Sequence, residues 1–222
     1  MRLRALWACY GLSGATIAFG MVLSIQTFPR PFDWTRTVIS ALASRKANPA
    51  GSLWFAAGLG VGLALLWPIA VAVSSRGGAT TRASRRSGLL LRAGLLCGMF
   101  VAVERIVFFH FSDLVHKGHE ALAVCAFLGI YAGEVGLELE QARRRVTAIW
   151  MTVLVLLPLV AAAGVLMLYL EQRQLGWMDH DGSGDPLPVW LRFPFWQWIA
   201  LAALWAGLGH LLGLVREAEP PA

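Results

Sequence analysis

The chain has 222 residues, 57% of them hydrophobic and 14% charged, with a net charge of +6 and a mean hydropathy of +0.61. A soluble domain of this length carries nearly twice that charged fraction, which excludes an ordinary water-soluble enzyme. The basic balance rests on seventeen arginines against two lysines. They sit at helix ends and in short loops, so they read as topogenic charge beside anionic lipid and not as a nucleic-acid surface.

The apolar residues fall in long blocks instead of recurring with a 3.6-residue period. Blocks of about 20 residues match the hydrocarbon thickness crossed at 1.5 Å per residue. The spacing predicts six transmembrane helices, at 5–26, 53–74, 88–109, 119–139, 147–170 and 195–215. The fold class is therefore all-α, a polytopic membrane protein forming one compact six-helix bundle across 1–222. The first block, Ala5 to Gln26, is too long for a signal-peptide core and lacks a small-x-small cleavage site, so it reads as a retained helix.

Between the first two helices lies a long loop, 27–52, with Asp33, Arg36 and Ser40. The connection after the second, SSRGGATTRASRRSG, carries Arg76, Arg82, Arg85 and Arg86. A short turn, HFSDLVHKGHE, joins the third helix to the fourth, and Arg143, Arg144 and Arg145 follow the fourth. A second long loop, 171–194, leads into VWLRFPFWQW, whose aromatic residues resemble an interfacial belt. The positive-inside rule places the arginine-rich connections and both termini in the cytoplasm, in a bacterial inner membrane. Closely spaced Gly and Ala in AAGLGVGLA, RAGLLCG and FLGIYAGEVG predict close helix packing, and Pro68 and Pro158 fall within helices 2 and 5.

HFSDLVHKGHE concentrates three histidines and two carboxylates. Asp113 is placed to cap the fourth helix. His116, His119 and Glu120, at i, i+3 and i+4, share one face and form a feasible ligand set for a zinc-like divalent ion, with Asp113 or His110 completing it. The plainer reading is a wet interfacial turn at a helix N-terminus. Glu104 and Arg105 lie about five residues inside the outer end of the third helix, where ionisable groups are costly and mark functional sites. Neighbours in sequence point about 100° apart, which predicts no direct pair between them.

Glu134, on the face of the fourth helix that carries His116 and Glu120, could join a polar path with a neighbouring helix, but the expectation is that it is wetted at the cytoplasmic end with Glu138 and Glu140. His210 near the end of the sixth helix shows no facing histidine for a haem. WMDHDGSGD, 177–185, starts like a calcium loop, but its last ligand position would be Trp190, so an acidic surface loop is the expectation. Cys9, Cys97 and Cys125 lie within apolar blocks without C-x-x-C spacing, so small buried hydrophobes are expected.

The first loop reads TVISALASRKANPAGSLWFAAGLG. An Ile-Ser-x-Leu stretch, then Asn-Pro and a Gly-rich second helix, resembles a bacterial membrane family related to the FRAG/DRAM/Sfk-type superfamily, which includes autophagy modulators and GPI-lipid remodelling factors. Ser40, Leu42, Asn48, Pro49, Asp113 and His119 carry the resemblance, and Ala43 departs from it where a glycine is expected. The resemblance implies a six-helix membrane protein whose relatives act on or around lipids, and it supplies no catalytic mechanism.

The combined expectation is an outward-facing polar cavity that takes a lipid headgroup or another amphiphile. Arg36, Ser40, Arg105, His110, Asp113 and Glu120 would bind it. The same cluster in a membrane-embedded hydrolase or transferase would use Glu104, His116 and His119 as catalytic groups, with or without a metal on His116, His119 and Glu120. A non-catalytic assembly or regulatory subunit is the remaining reading. No cofactor is expected beyond that metal. The expected partners are membrane lipids, a second copy or another membrane protein, and no nucleic acid.

Overall fold

A computed structural model describes residues 3–76, 81–107, 112–142, 145–174 and 187–217. The described chain is helical: α1 (Leu3–Gln26), α2 (Ser52–Arg76), α3 (Arg82–Val107), α4 (Ser112–Ala142), α5 (Val146–Gln174) and α6 (Phe193–Glu217). Short 3-10 turns at Ile39–Ala41 and Val189–Leu191 interrupt the two long connections. Five of the six helices are long and apolar enough to cross a membrane. The sixth, α3, carries Arg82, Arg85, Arg86, Arg92, Glu104 and Arg105 within its length.

Pro68 and Pro158 are both accommodated inside helices. Each helix also runs past its apolar block, because backbone hydrogen bonding continues after the hydrophobic sequence ends. The largest extension is in α4, which is helical from Ser112 onward, seven residues ahead of the expected start. Asp113 therefore lies within the helix, not ahead of it as a cap. Its backbone belongs to the same helix as Glu134 and Glu138.

Sequential helices pack as antiparallel neighbours, with the register set by glycine. A Cβ on Gly20 would meet the Trp54 carbonyl at 2.6 Å and the Gly58 Cα at 3.0 Å, so α1 and α2 touch backbone to backbone. Gly94 and Gly129 do the same for α3 and α4, since a Cβ on Gly129 would lie 2.8 Å from the Gly94 Cα. In lipid, such contact is available only where side chains are absent. Ser13 adds a polar tie, donating to the Gly62 carbonyl at 2.6 Å.

The last helix closes the bundle. α6 packs against α5, α4, α2 and α1, and it runs parallel to α4, with Tyr131, Glu134 and Glu138 meeting Ala200, Gly207 and His210 in order. In α2 and α6, 50% of the membrane-spanning stretch is buried inside the protein, against 17% in α1 and α5. The former pair is therefore central and the latter peripheral. Trp150, Leu157, Val160 and Met167 on α5 are exposed apolar side chains, as a lipid solvent permits. The cysteines depart from expectation: Cys9 and Cys97 are half-buried and Cys125 is exposed. An apolar block shields a thiol from water without burying it in protein.

Candidate functional site

Among the described residues, polar side chains gather at the end of the bundle where α6 begins and inside the opposite half. At the first, the α1–α2 loop folds over α6. Asp33 Oδ1 accepts from the Thr35 backbone N–H at 2.8 Å and the Thr35 hydroxyl at 2.7 Å. Arg36 Nε pairs with Asp33 Oδ2 at 3.6 Å, and Arg192, preceding α6, donates from Nη1 to the Thr35 hydroxyl at 3.4 Å and from Nε to the Leu187 carbonyl at 2.9 Å. Partial burial acts to raise the Asp33 carboxyl. The Thr35 hydrogen bonds and the two guanidinium groups outweigh it, leaving Asp33 below the usual aspartate value.

Aromatic ring pairs also join the α1–α2 loop to α6. Phe28 meets Phe32 at 5.4 Å, Phe32 meets Trp198 at 6.2 Å and Trp34 meets Phe195 at 5.6 Å, measured between ring centroids. Part of the expected aromatic belt is thus turned inward to hold the loop, while Trp190 stays exposed. Gln197 of α6 accepts the Ile39 backbone N–H at 2.9 Å.

Farther along the loop, the buried Asn48 amide donates to the Ser24 carbonyl and hydroxyl, both at 2.8 Å, and accepts the Gly51 N–H at 3.1 Å. Ser24 in turn donates to the Leu42 carbonyl at 3.0 Å. Asn48 and Leu42, singled out by the family resemblance, therefore anchor the loop to α1. Ser40 is exposed in the 3-10 turn.

Glu104 and Arg105 differ from expectation by pairing with each other, at 3.7 Å between Glu104 Oε2 and Arg105 Nε, with both side chains largely covered. The long arginine side chain spans the angular offset that the helix imposes on its Cβ. These residues sit on α3, which packs chiefly against α2 and α4. His110 lies outside the described residues, as do the side chains of Asp113, His116, His119 and Glu120 and the stretch 175–186 with the acidic loop. Among the described residues, no three His, Cys, Asp or Glu groups are arranged to hold a metal ion.

The second polar group corrects the sequence reading more sharply. Glu134 and Glu138 are both 0% exposed, enclosed by protein where wetting was expected. Four residues apart, they share the face of α4 turned to α6. His210 Nδ1 lies 2.8 Å from Glu138 Oε1, so the histidine without a histidine partner has a carboxylate one. Both Glu134 oxygens and Glu138 Oε2 lack hydrogen-bond partners. Glu134 Oε1 fills the space a Cβ would occupy at Gly207, so glycine there makes room for the carboxylate.

Two tyrosines flank the pair. Tyr10 of α1 donates to the Trp205 carbonyl at 2.8 Å and stacks on the Trp205 ring at 4.6 Å. Tyr131 donates to the Ala200 carbonyl at 3.0 Å. Both hydroxyls lie within electrostatic range of Glu134 yet spend their protons on the α6 backbone. The signal available in the sequence was the run Tyr131, Glu134, Glu138, polar residues at i, i+3 and i+7 in an apolar helix.

The chain matches no family model, no curated protein and no solved structure. Five of its helices are long and apolar enough to fit a multi-pass membrane protein.

Proposed function

We propose that this protein receives a lipid headgroup or another amphiphile at the end of the bundle capped by the α1–α2 loop and the start of α6. The observation that carries the reading is the Asp33–Thr35–Arg36–Arg192 network in the same loop-to-α6 region as the Phe28–Phe32–Trp198 ring contacts. Guanidinium groups match phosphate in a planar fork, and neighbouring aromatic rings suit the junction of headgroup and acyl chain. With both termini cytoplasmic, this end faces the outer leaflet of a bacterial inner membrane. The lipid-related family that the first loop resembles agrees with such a role.

The test is lipid extraction and mass spectrometry of protein purified in mild detergent. A defined lipid should copurify, and Arg36→Ala with Arg192→Ala should release it while the protein stays monodisperse. Copurified lipid that mirrors the bulk membrane and is indifferent to both substitutions would sink the reading. A lipid-free protein that instead carries a stoichiometric protein partner would replace it with the subunit reading.

A further inference from the structure

We propose that Glu134, Glu138 and His210 form a proton-binding site in the half of the bundle opposite the loop cap, approached through His210. Glu134 is fully enclosed and neither of its oxygens has a donor among the described residues, while the Tyr10 and Tyr131 hydroxyls donate to carbonyls of α6. An enclosed carboxylate without a donor is costly as a bare anion, so it requires a positive partner. Among the described residues, the groups shown facing it are acidic or neutral, Glu138 and Tyr131 on α4, Tyr10 on α1 and Val155 on α5, and His210 reaches the pair through Glu138. Toward α3, α4 presents glycines, which meet Ser87, Leu91 and Gly94. A metal cation needs volume and several oxygen ligands, whereas the carboxylate already fills the space left by Gly207. A proton needs no volume.

The three groups form an ordered path. The His210 side chain is 21% exposed and that of Glu138 is 0% exposed. Glu138 and Glu134 lie about 6 and 12 Å inside the end of α4 at 1.5 Å per residue. A proton from water adds to His210 Nε2, and the proton on Nδ1 passes to Glu138 Oε1, leaving a neutral imidazole of the other tautomer. Rotation of the Glu138 carboxyl group carries that Oε1–H to Glu134, which takes the proton and becomes a carboxylic acid as Glu138 returns to carboxylate. One O–H bond forms at Glu134 and one proton leaves the water. Chains of carboxylate and imidazole inside membrane proteins serve such relays.

Infrared difference spectra of the full chain in lipid nanodiscs, between acidic and alkaline buffer, read the buried carboxylic acid directly. The expected result is a pH-dependent acid C=O band that Glu134→Gln removes and Glu138→Gln retains. After a pH jump, His210→Gln should slow its appearance by about a hundredfold. Persistence of the band in Glu134→Gln would overturn the proposal. If Glu134→Gln does not fold, the unmodified protein decides, because absence of any buried-acid band across the pH range is equally fatal. A titration that moves when sodium replaces potassium at constant pH would assign the site to a metal cation and overturn it too.

Discussion

His210 Nδ1 of α6 lies 2.8 Å from Glu138 Oε1 of α4, tying together two parallel helices that are not consecutive in the chain. Truncating the histidine strands a fully buried carboxylate, whose other oxygen already lacks a partner. His210→Ala should cost about 2–3 kcal/mol, the range for losing a hydrogen bond to a charged group. Thermal unfolding in detergent reads it, and an unchanged midpoint would show that the contact contributes nothing to stability.

Gly207 and Glu134 should prove strongly coupled. A methyl group at 207 competes with Glu134 Oε1 for the same space, so Gly207→Ala should destabilise by about 1–3 kcal/mol. Adding Glu134→Ala removes the competitor and should recover most of that loss. Additive effects in the double-mutant cycle would mean that the two positions do not share this space.

The backbone contacts between helices predict a position-dependent tolerance of valine. Gly58→Val and Gly94→Val push on the neighbouring helix backbone, whereas a Cβ at Gly164 meets nothing within 4 Å. The first two should abolish monodisperse expression and Gly164→Val should leave it intact. Fluorescence size-exclusion profiles of the three variants decide it.

Asn48→Ala removes three hydrogen bonds at a buried amide, leaves the Gly51 N–H without its acceptor and leaves the Ser24 hydroxyl only its bond to the Leu42 carbonyl. The expected cost is about 2–4 kcal/mol, with the loop over α6 released first. Protease cleavage confined to 27–51 in the variant would show that release, and resistance equal to the parent would contradict it.

Asp33 supplies a pH dependence of known sign. Its carboxyl lies below the usual value in the folded state, so its contribution to stability is fully present above the ordinary aspartate range. That contribution disappears as pH falls through the lowered folded value, below about 4. Asp33→Asn should flatten this acid limb by lowering stability at neutral pH, with the two proteins converging below the acid limb. An acid limb identical in both proteins would place its origin elsewhere.

The sequence by itself determined the element type, and a composition that fits a membrane. Apolar blocks as long as a bilayer is thick leave helices as the way to satisfy the backbone, and all six expected segments are helical over their described residues. Gly-rich stretches in α2, α3 and α4 signalled close packing, and glycines there make the observed backbone contacts. Composition placed α3 poorly, because its arginines lower its hydropathy while its buried stripe of Ser87, Leu91, Gly94, Leu95 and Gly98 fits it between neighbours. Helical periodicity ranks residues by face, but it cannot say whether a face meets lipid, water or protein. Glu134 and Glu138 therefore read as wetted, and only the parallel packing of α6 on α4 enclosed them. Glu104 and Arg105 read as divergent from their Cβ directions, and only side-chain reach closed the pair. Long-range partnership depends on how helices rotate and choose neighbours, and a single chain's local pattern carries no information about that.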